Sequence, residues 1–538
     1  MTQQWIAHDP DPATAAELAA CSVEELAARF ARPLTFGTAG LRGPLRGGPD
    51  GMNVAVVTKA TWAVAHVLKD RCLGGSAVVV GRDSRHGSVE FATAAAEVLA
   101  AEGFSVILLP DPVPTPVVAF AVRHAGAAAG IQITASHNPA TDNGYKVYFD
   151  GGVQIVSPTD RVIEAAIAKA PPADQIARHT VEPADVELIE RYIERAARVR
   201  RGTGSVRVAL TPLHGVGGEV AVETLLRAGF DDVRTVATQF APDPDFPSVA
   251  FPNPEEPGAV DALLALAADV EADIAIALDP DADRCAVGIP TPTGWRMLSG
   301  DETGWLLGDY ILSQTEPGDV AAASVVASTV VSSRMLAAIA AHYGAQHVET
   351  LTGFKWLARA DAGLPGRTLI YAYEEAIGHC ADPAAVRDKD GISAAVLACD
   401  LVATLRARGS SVPDALDELA RRHGVHTTSA VSARVDDATA VMARLREHPP
   451  SRFGDTDVTV TDLLERRGRL RTDALIFTGG DDRTSLRLAV RPSGTEPKIK
   501  CYIEIRTAVT GDLAAARSLA GSLQGVVESV AAELLHRP

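Results

Sequence analysis

A short polar stretch at residues 134–139, with the sequence TASHNP, holds the first group of residues that could carry chemistry. It places the hydroxyl of Ser136 beside the imidazole of His137, and the amine of Lys146 follows soon afterwards. A hydroxyl beside a proton acceptor is the pattern of an activated nucleophile. A Ser/Asn turn without catalytic function would have the same composition. The other polar clusters of the chain must decide between these two interpretations.

Three carboxylates stand at alternate positions directly after an apolar run at residues 273–278, namely Asp279, Asp281 and Asp283. In a tight loop such carboxylates can converge on one hard divalent cation and leave a position for a phosphate oxygen. Without a cation they would repel one another beside a buried strand. The stretch is not an EF-hand, because Arg284 stands where that motif requires glycine. An acidic surface turn is the alternative, and we predict a metal site.

An anion-binding loop is predicted near the end of the chain, where residues 491–497 have the sequence RPSGTEP. A guanidinium, two hydroxyl groups and glycine amides can together form a phosphate cradle. The residues concerned are Arg491, Ser493, Gly494 and Thr495. Because the stretch lies between two strand-like runs, a hairpin with ordinary turn residues would explain the same composition.

Two adjacent glutamates, Glu374 and Glu375, follow another strand-like run. Ionised carboxylates accept hydrogen bonds, so the pair could bind the hydroxyl groups of a neutral ligand face. A solvated surface pair is the other interpretation.

Arginine side chains stand in two glycine-containing motifs of the first part of the chain. Residues 36–43 (FGTAGLRG) surround Arg42 with glycines, whose amides can approach an anion closely. Residues 81–85 (GRDSR) contain Arg82 and Arg85, which are either surface ion-pair partners or support for the serine loop.

An alternation of strand-like and helix-like segments must position these loops. It begins with a strand at 77–80 and a helix at 88–101, restarts after a polar linker at 200–204, and restarts again near residue 322. From about residue 427 a smaller unit follows. We predict an α/β protein of three similar mixed α/β domains and a smaller α+β C-terminal domain, with the active site in the central cleft. The predicted domain limits are 1–203, 204–312, 313–426 and 427–538.

Composition excludes several other classes of protein. A chain of 538 residues is too long for one hydrophobic core. A net charge of −18 argues against a general nucleic-acid binder, although a local basic cluster can still bind a phosphorylated ligand. The sequence begins without the features of a signal peptide, and its six cysteines are scattered without a CxxC pair. We expect a cytoplasmic protein that binds neither nucleic acid nor membrane; its oligomeric state has no signal in the sequence.

In this order, the loops resemble those of the α-D-phosphohexomutase superfamily, which contains phosphoglucomutases and phosphomannomutases. The resemblance extends from Thr38 to about Lys500. Residues 134–139 resemble the family's phosphoserine loop, residues 279–284 its magnesium loop and residues 491–495 its distal phosphate site. Two further similar stretches are 352–355 (TGFK) and 389–391 (KDG).

The sugar-binding loop departs from the family pattern of a glutamate, any residue and a serine. Ala376 takes the serine position if Glu374 is the sugar ligand, and Ile377 takes it if Glu375 is. Neither register restores the serine hydroxyl. This form is more similar to the long branch of the family that also contains phosphopentomutases, so the register and the preferred sugar both stay open.

The resemblance implies an isomerase that interconverts hexose 1-phosphate and hexose 6-phosphate, of glucose or mannose, through a phosphorylated Ser136. It implies Mg²⁺ held by Ser136, Asp279, Asp281 and Asp283, and a sugar 1,6-bisphosphate as intermediate and activator. The substrate's phosphate would bind at the predicted cradle. Arg42 would steady the transferring group, and His137 or Lys146 would act as base, for which Lys146 needs a lowered pKa. Further substrate-binding residues are implied at Arg284, Lys355, Glu374, Glu375 and Lys389.

Three other functions are compatible with the same residues. A phosphopentomutase would interconvert ribose or deoxyribose 1-phosphate and 5-phosphate. A metal-dependent sugar phosphatase would transfer the phosphoryl group to water. A sugar-phosphate-binding protein would bind the same ligands without catalysis.

Overall fold

Two compact units make up this protein, seen here in a computed structural model that describes residues 2–149, 151–493 and 498–536. The first unit contains Met1–Leu298 and Gly378–Thr404, and the second contains Ser299–Ile377 and Leu405–Pro538. None of the described helices combines the length and apolar character that a membrane-spanning helix needs.

The strands, in chain order, are β1 (Leu41–Pro44), β2 (Ala77–Arg82), β3 (Ser105–Leu108), β4 (Ala129–Ile133), β5 (Asp142–Phe149), β6 (Val153–Gln154), β7 (Arg207–Thr211), β8 (Asp232–Thr235), β9 (Ile274–Leu278), β10 (Cys285–Thr291), β11 (Gly294–Met297), β12 (Ser324–Thr329), β13 (Gln346–Thr350), β14 (Thr368–Glu374), β15 (Gly378–Cys380), β16 (Val425–Arg434), β17 (Arg452–Phe453), β18 (Thr456–Asp462), β19 (Leu475–Gly480), β20 (Thr484–Pro492) and β21 (Lys498–Thr507).

The α-helices are α1 (Thr2–Ala7), α2 (Pro12–Ala20), α3 (Val23–Ala31), α4 (Val54–Asp70), α5 (Ser88–Ala101), α6 (Thr115–His124), α7 (Thr159–Ile167), α8 (Glu187–Ala197), α9 (Gly217–Arg227), α10 (Ala237–Phe240), α11 (Asp261–Asp269), α12 (Gly300–Ser313), α13 (Asp319–Ala323), α14 (Met335–Tyr343), α15 (Phe354–Leu357), α16 (Gly391–Ala407), α17 (Val412–His423), α18 (Ala438–Glu447) and α19 (Leu513–His536).

The first unit contains two mixed sheets. In the first sheet the order is β1-β5-β4-β2-β3, and β4 pairs in parallel with β2 and antiparallel with β5. All five residues of β4 are buried, as expected for a strand covered on both faces. The second sheet has the order β11-β10-β9-β7-β8, and β9 is likewise buried along its whole length. The predicted serine and aspartate loops therefore follow buried strands.

The second unit contains a parallel arrangement and an antiparallel sheet. β12 pairs in parallel with both β13 and β14. The antiparallel sheet has the order β16-β21-β20-β19-β18-β17. The long helix α19 packs on β16 and β21. Its Val527 belongs to the same hydrophobic core as Ile503 of β21 and Leu488 of β20. This antiparallel sheet presents the end of β20, where the predicted phosphate loop begins.

The predicted fold class is confirmed: α/β regions precede a smaller α+β C-terminal region. The helix predicted at 88–101 has those same limits in the structure. The round of alternation predicted to begin near residue 322 begins with the short helix α13 after Gly318, whose φ is +86°, and β12 follows it directly. The predicted domain limits and the central-cleft location of the active site remain predictions.

Candidate active site

The serine loop follows β4 and holds Ser136 in an unusual backbone conformation. Ser136 has φ +54°, in the left-handed region that residues other than glycine rarely adopt. Its amide donates to Oγ1 of Thr134 over 2.9 Å, and its side chain is almost fully buried. Its Oγ donates to Oδ2 of Asp279 over 2.9 Å and lies 3.1 Å from Nδ1 of His137. The loop thus presents the hydroxyl both to a carboxylate and to an imidazole.

The aspartate loop joins β9 to the antiparallel strand β10. The amide of Ala282, a residue with φ +52°, donates to the carbonyl of Asp279 over 2.8 Å and closes a tight turn. The chain at Gly215 approaches so closely that a Cβ there would lie 2.3 Å from Cα of Pro280. The carboxylates of Asp279, Asp281 and Asp283 are buried, and one oxygen of each lies within 4.8 Å of the others.

The aspartate cluster fits a hard divalent cation. Oδ1 of Asp281 and Oδ1 of Asp283 are buried and accept no hydrogen bond from any residue that the structure describes. Burial and the charges of Asp281 and Asp283 raise the pKa of Asp279 well above its ordinary value. Unsatisfied buried oxygens and mutual repulsion are both relieved when a cation binds, and carboxylate oxygens are the ligands that Mg²⁺ prefers.

Two lysines compensate part of the negative charge. Nζ of Lys146 donates to Oδ2 of Asp281 over 2.7 Å and to Oδ2 of Asp283 over 3.0 Å. Nζ of Lys389 lies 3.3 Å from the same Asp283 oxygen. Burial acts to lower the pKa of Lys146, but the charges of Asp281 and Asp283 outweigh it and raise the pKa. A lowered pKa, which a base role for Lys146 requires, is therefore not what the structure shows.

Three further candidates lie around the serine loop. Nη1 of Arg42 donates to Oδ1 of Asn138 over 3.1 Å. The amide of Arg284 donates to Oδ1 of Asp279 over 3.0 Å. The charge of Arg284, burial and the charge of Arg42 lower the pKa of His137 well below its ordinary value, so its imidazole is neutral and can accept a proton. The first unit thus brings together all the candidates that it contains.

The two glutamates of the second unit have different surroundings. Glu374 is the last residue of β14 and is buried. Glu375 follows it, and its Oε2 accepts hydrogen bonds from Oγ1 of Thr329 over 3.0 Å and Oγ of Ser332 over 2.8 Å. Glu375 is therefore already oriented by two hydroxyl donors of the loop after β12. The register of the sugar-binding loop remains a prediction.

The predicted phosphate loop begins at the end of β20. Arg491 pairs with Lys500 across the sheet, and the amide of Ser493 donates to the carbonyl of Lys498 over 2.8 Å. Gly494 and Thr495 lie outside the described residues. Burial and the charge of Glu375 raise the pKa of Tyr502 to about 12, while a hydrogen bond with Arg491 acts in the opposite direction.

A sugar-loop candidate and a phosphate-loop candidate act on the same side chain in the second unit: the charge of Glu375 raises the pKa of Tyr502, and Arg491 acts to lower it. Lys355 lies on α15, which packs against β12 and β14. It therefore lies on a helix that contacts the strand ending at Glu374.

Sequence reasoning missed two polar contacts of this region. Thr115 donates its hydroxyl to Oδ2 of Asp281, and its amide donates to the Asp281 carbonyl over 2.9 Å. Tyr502 was not singled out either, since a tyrosine in a strand gives no signal of its partner. Of the two arginines in residues 81–85, Arg85 contacts the serine loop, whereas Arg82 only approaches the Asp83 carbonyl at 3.4 Å.

Comparison with known proteins gives family matches along most of the chain, from residue 33 to residue 517. Four phosphoglucomutase/phosphomannomutase models match: alpha/beta/alpha domain I at residues 33–174, domain II at 190–292, domain III at 299–423, and the C-terminal domain at 433–517. A crystal structure of a phosphoglucomutase/phosphomannomutase family protein from Burkholderia thailandensis shares the fold, with a TM-score of 0.68 and 22% identity over 92% of this chain and 97% of that chain.

Named relatives are similar over most of their length. A "Probable phosphomannomutase" of Haemophilus influenzae is 39% identical over 85% of this chain and 93% of its own. A "Phosphopentomutase" of Mus musculus is 33% identical over 94% of this chain and 89% of its own. The chain therefore belongs to the phosphoglucomutase/phosphomannomutase family, whose members are phosphomutases and act as isomerases.

Proposed function

We propose that this protein is a Mg²⁺-dependent mutase that interconverts the 1-phosphate and 6-phosphate of a hexose, glucose or mannose, through a phosphorylated Ser136. The observation that carries the proposal is the 2.9 Å hydrogen bond from Oγ of Ser136 to Asp279. It places a hydroxyl nucleophile at the edge of a buried three-aspartate cluster that has unsatisfied oxygens. A serine at such a cluster can carry a phosphoryl group that the cluster's cation neutralises.

The reaction that we propose transfers one phosphoryl group in each direction. A free hydroxyl of the sugar phosphate attacks the phosphorus of phosphoserine, a new oxygen–phosphorus bond forms, and the bond to Ser136 Oγ breaks. The product is a sugar bisphosphate, whose other phosphoryl group then returns to Ser136. Positioning and charge neutralisation account for most of the rate in such transfers.

The cation site would be formed by Ser136, Asp279, Asp281 and Asp283. A bound Mg²⁺ would supply positive charge to the oxygens of the transferring phosphoryl group. Two lysines also pair with the aspartates: Nζ of Lys146 lies 2.7 Å from Oδ2 of Asp281, and Nζ of Lys389 lies 3.3 Å from Oδ2 of Asp283.

Proton transfer and charge stabilisation are assigned to residues beside the serine. His137 lies 3.1 Å from Ser136 Oγ and is the candidate base for the attacking hydroxyl. Lys146, the other predicted base, is paired with Asp281, and its raised pKa does not favour that role. Arg42, which is anchored to Asn138, is proposed to steady the transferring group. Arg284 is proposed to contact the substrate.

Substrate recognition in the second unit is assigned to two loops. Glu374, Glu375 and Lys355 are proposed to bind the hydroxyl groups of the sugar. Arg491 and Ser493 are proposed to bind the phosphate that does not react, together with Gly494 and Thr495. The charges of Glu375 and Arg491 both act on the phenol of Tyr502, which supports the assignment of both loops to one ligand.

A phosphopentomutase is the second candidate. In either register of the sugar-binding loop, Ala376 or Ile377 stands where the family pattern has a serine, so one hydroxyl contact to the sugar is absent. Relatives named phosphopentomutase match 94% of this chain over 89–90% of their own length. A sugar that offers fewer hydroxyl groups loses less from that change.

A substrate panel tests the proposal and separates the candidates. The 1-phosphates of glucose, mannose, ribose and N-acetylglucosamine are incubated with enzyme, Mg²⁺ and a catalytic amount of the matching bisphosphate, and products are followed by phosphorus NMR. We expect the highest kcat/KM with a hexose phosphate and no release of inorganic phosphate. A higher kcat/KM with ribose 1-phosphate would support the second candidate instead. Stoichiometric phosphate release would identify a phosphatase, and absence of phosphoserine by intact mass would contradict both mutases.

A further inference from the structure

We propose that Arg85 is the positioning residue of the serine loop, and that its guanidinium fixes the backbone conformation that directs Ser136 at the aspartate cluster. The proposal rests on the proposed role of Ser136 as the phosphorylated residue. It concerns a residue that would not touch the substrate and would act through the loop alone.

The guanidinium of Arg85 binds the backbone of the whole loop. Its Nη2 donates to the carbonyls of Ser136 and Asn138, each over 2.6 Å. Its Nη1 donates to the carbonyls of Pro139 over 2.7 Å and Asp142 over 3.1 Å. Backbone carbonyls in a loop have no strand partner and need donors from elsewhere. One side chain therefore supplies the donors for carbonyls that span the loop from its nucleophile to the start of β5.

The contact at Ser136 coincides with backbone strain. Ser136 has φ +54°, a conformation that costs free energy for any residue other than glycine and persists only where the surrounding structure enforces it. Thr134 Oγ1 accepts from the Ser136 amide, and Arg85 donates to the Ser136 carbonyl. Both peptide groups of the strained residue are thus held by side chains. Strain that is held in this way at a nucleophile is expected where orientation matters for reaction.

Arg85 is itself held in place by buried groups. Its Nε lies 3.3 Å from Oδ2 of Asp83, and Oδ1 of Asp83 accepts from the Arg85 amide and the Ser88 hydroxyl. The ring of Phe246 lies 4.9 Å from the guanidinium carbon. Arg85 and Asp83 are 4% and 1% exposed. A buried arginine fixed by a carboxylate and an aromatic ring has little freedom, so the loop that it binds has little freedom either.

The guanidinium shape is essential to this arrangement. Arginine presents donors in a planar fork, whereas a lysine amine is a single point with three donors on a flexible stem. A lysine at position 85 would retain the positive charge beside Asp83. Its single amine could not donate at the same time to the carbonyls that Nη1 and Nη2 of Arg85 bind. Arg82 provides a matched control, because it belongs to the same motif and only approaches the Asp83 carbonyl at 3.4 Å.

The test compares Arg85→Lys with Arg82→Lys in the full chain. For Arg85→Lys we expect kcat to fall about 100-fold, since misplacement of a reacting group by about 1 Å can have that effect, while KM for the sugar phosphate stays within about twofold. Amide hydrogen exchange at residues 136–142 should become faster, and Mg²⁺ binding should persist. Arg82→Lys should change none of these. In Arg85→Ala, added ethylguanidinium should restore part of kcat, which a general loss of stability would not allow.

Several outcomes would overturn the proposal. Unchanged kcat in folded Arg85→Lys, or a rise in KM with kcat unchanged, would show that Arg85 does not position the nucleophile. Unchanged exchange at residues 136–142 would show that the guanidinium does not hold the loop. The exchange measurement needs no substrate, so it decides the proposal even if the wild-type chain has no mutase activity, which is the result that would remove the proposed function.

Discussion

Each unit contains a buried carboxylate site, three aspartates in the first and Glu504 with its hydrogen-bond donors in the second. The two sites differ in how many of their carboxylate oxygens accept a hydrogen bond. In the first unit the aspartates at 279, 281 and 283 leave two buried oxygens without a donor among the described residues. In the second unit the single carboxylate of Glu504 accepts from the Ser333 hydroxyl over 2.6 Å, from the amide and Nε of Arg334, each over 2.9 Å, and from Nδ1 of His426 over 2.8 Å.

The difference between the clusters indicates what each one does. Glu504 lies on β21 and fixes this strand to the loop after β12, so its network is structural. Burial acts to raise the pKa of Glu504, but His426, Arg334 and Ser333 hold it well below its ordinary value. In the aspartate cluster the pKa values diverge: burial and the neighbouring carboxylates raise the pKa of Asp279, whereas at Asp281 burial is outweighed by Lys146, which holds the pKa below its ordinary value. A buried carboxylate whose oxygens accept hydrogen bonds from the protein stabilises the fold, whereas buried carboxylate oxygens without a donor can accept a cation.

The largest effect is expected for Ser136→Ala. Removal of a nucleophile that no neighbouring group can replace should lower kcat by about 10⁴-fold or more. The melting temperature should change little, because the lost hydroxyl has only two hydrogen-bond partners among the described residues, Asp279 and His137. Thr141→Ala removes an exposed hydroxyl from the same loop and should retain activity. Wild-type turnover in folded Ser136→Ala would refute the phosphoserine assignment.

Glu504→Gln tests the structural side of the comparison. Removal of one partner from a buried charged network typically costs about 3–5 kcal/mol of unfolding free energy, which urea unfolding measures. Glu349→Gln is the control, because Glu349 is partly exposed and lies 3.7 Å from Arg487. Its loss should cost less than about 1 kcal/mol. Equal stability of the two variants would mean that the Glu504 network contributes nothing to the fold.

Glu504→Gln should also change how the free energy of unfolding depends on pH in the acid range. Because the pKa of Glu504 is lower in the folded than in the unfolded state, its contribution is present above the unfolded pKa and is lost as the pH falls towards the folded one. Wild-type stability should therefore decline below about pH 4.3, the ordinary pKa of glutamate. Glu504→Gln should lack this part of the decline. Parallel pH profiles for the two proteins would contradict the assignment.

Asp281→Asn tests the aspartate cluster. Replacement of an anionic ligand by a neutral amide should weaken Mg²⁺ binding by about 100-fold, at the upper end of what changes around a metal site produce. Binding is measured as the rise of the melting temperature with Mg²⁺ concentration, which follows from mass action. EDTA should abolish wild-type activity and Mg²⁺ restore it. Asp400→Asn removes a buried carboxylate that accepts from the backbone amides of Arg201 and Gly202, and should leave the Mg²⁺ response unchanged. An equal response in Asp281→Asn would rule out the cation site.

The aspartate cluster could be predicted from the sequence, whereas the hydrogen-bond network of Glu504 could not. Asp279, Asp281 and Asp283 are consecutive alternate residues after an apolar strand, so their convergence follows from one turn. Glu504 and His426 are far apart in the chain and meet only through the pairing of β16 with β21. Contacts within one turn can be predicted from the spacing of residues in the sequence. Contacts between paired strands can be predicted only when the strand register is known.

The serine site shows the same limit at finer scale. The loop after β4 and the role of Arg85 as one of two alternatives could be predicted from composition. The left-handed conformation of Ser136 could not, because it depends on donors from Arg85 and Thr134 that are set by tertiary packing. The raised pKa of Lys146 was likewise not predicted, since it depends on which two carboxylates the ammonium contacts.

The smallest effect is expected for Arg491→Ala, which tests whether a half-buried binding loop behaves differently from the buried clusters. Arg491 hydrogen-bonds with Tyr502 at the end of β20, and its proposed partner is a phosphate that does not react. Loss of one charge-assisted contact among several should raise KM for the sugar phosphate about 10-fold, while kcat falls less, because the contact is equally strong before and during the transfer. Arg483→Ala is the control, since Arg483 is an exposed arginine just before the opposite end of the same strand. Both variants should fold as the parent does and accept phosphate on Ser136 from a sugar bisphosphate. Equal KM values for the two variants would remove Arg491 from the binding site and leave the aspartate cluster as the only supported part of the proposal.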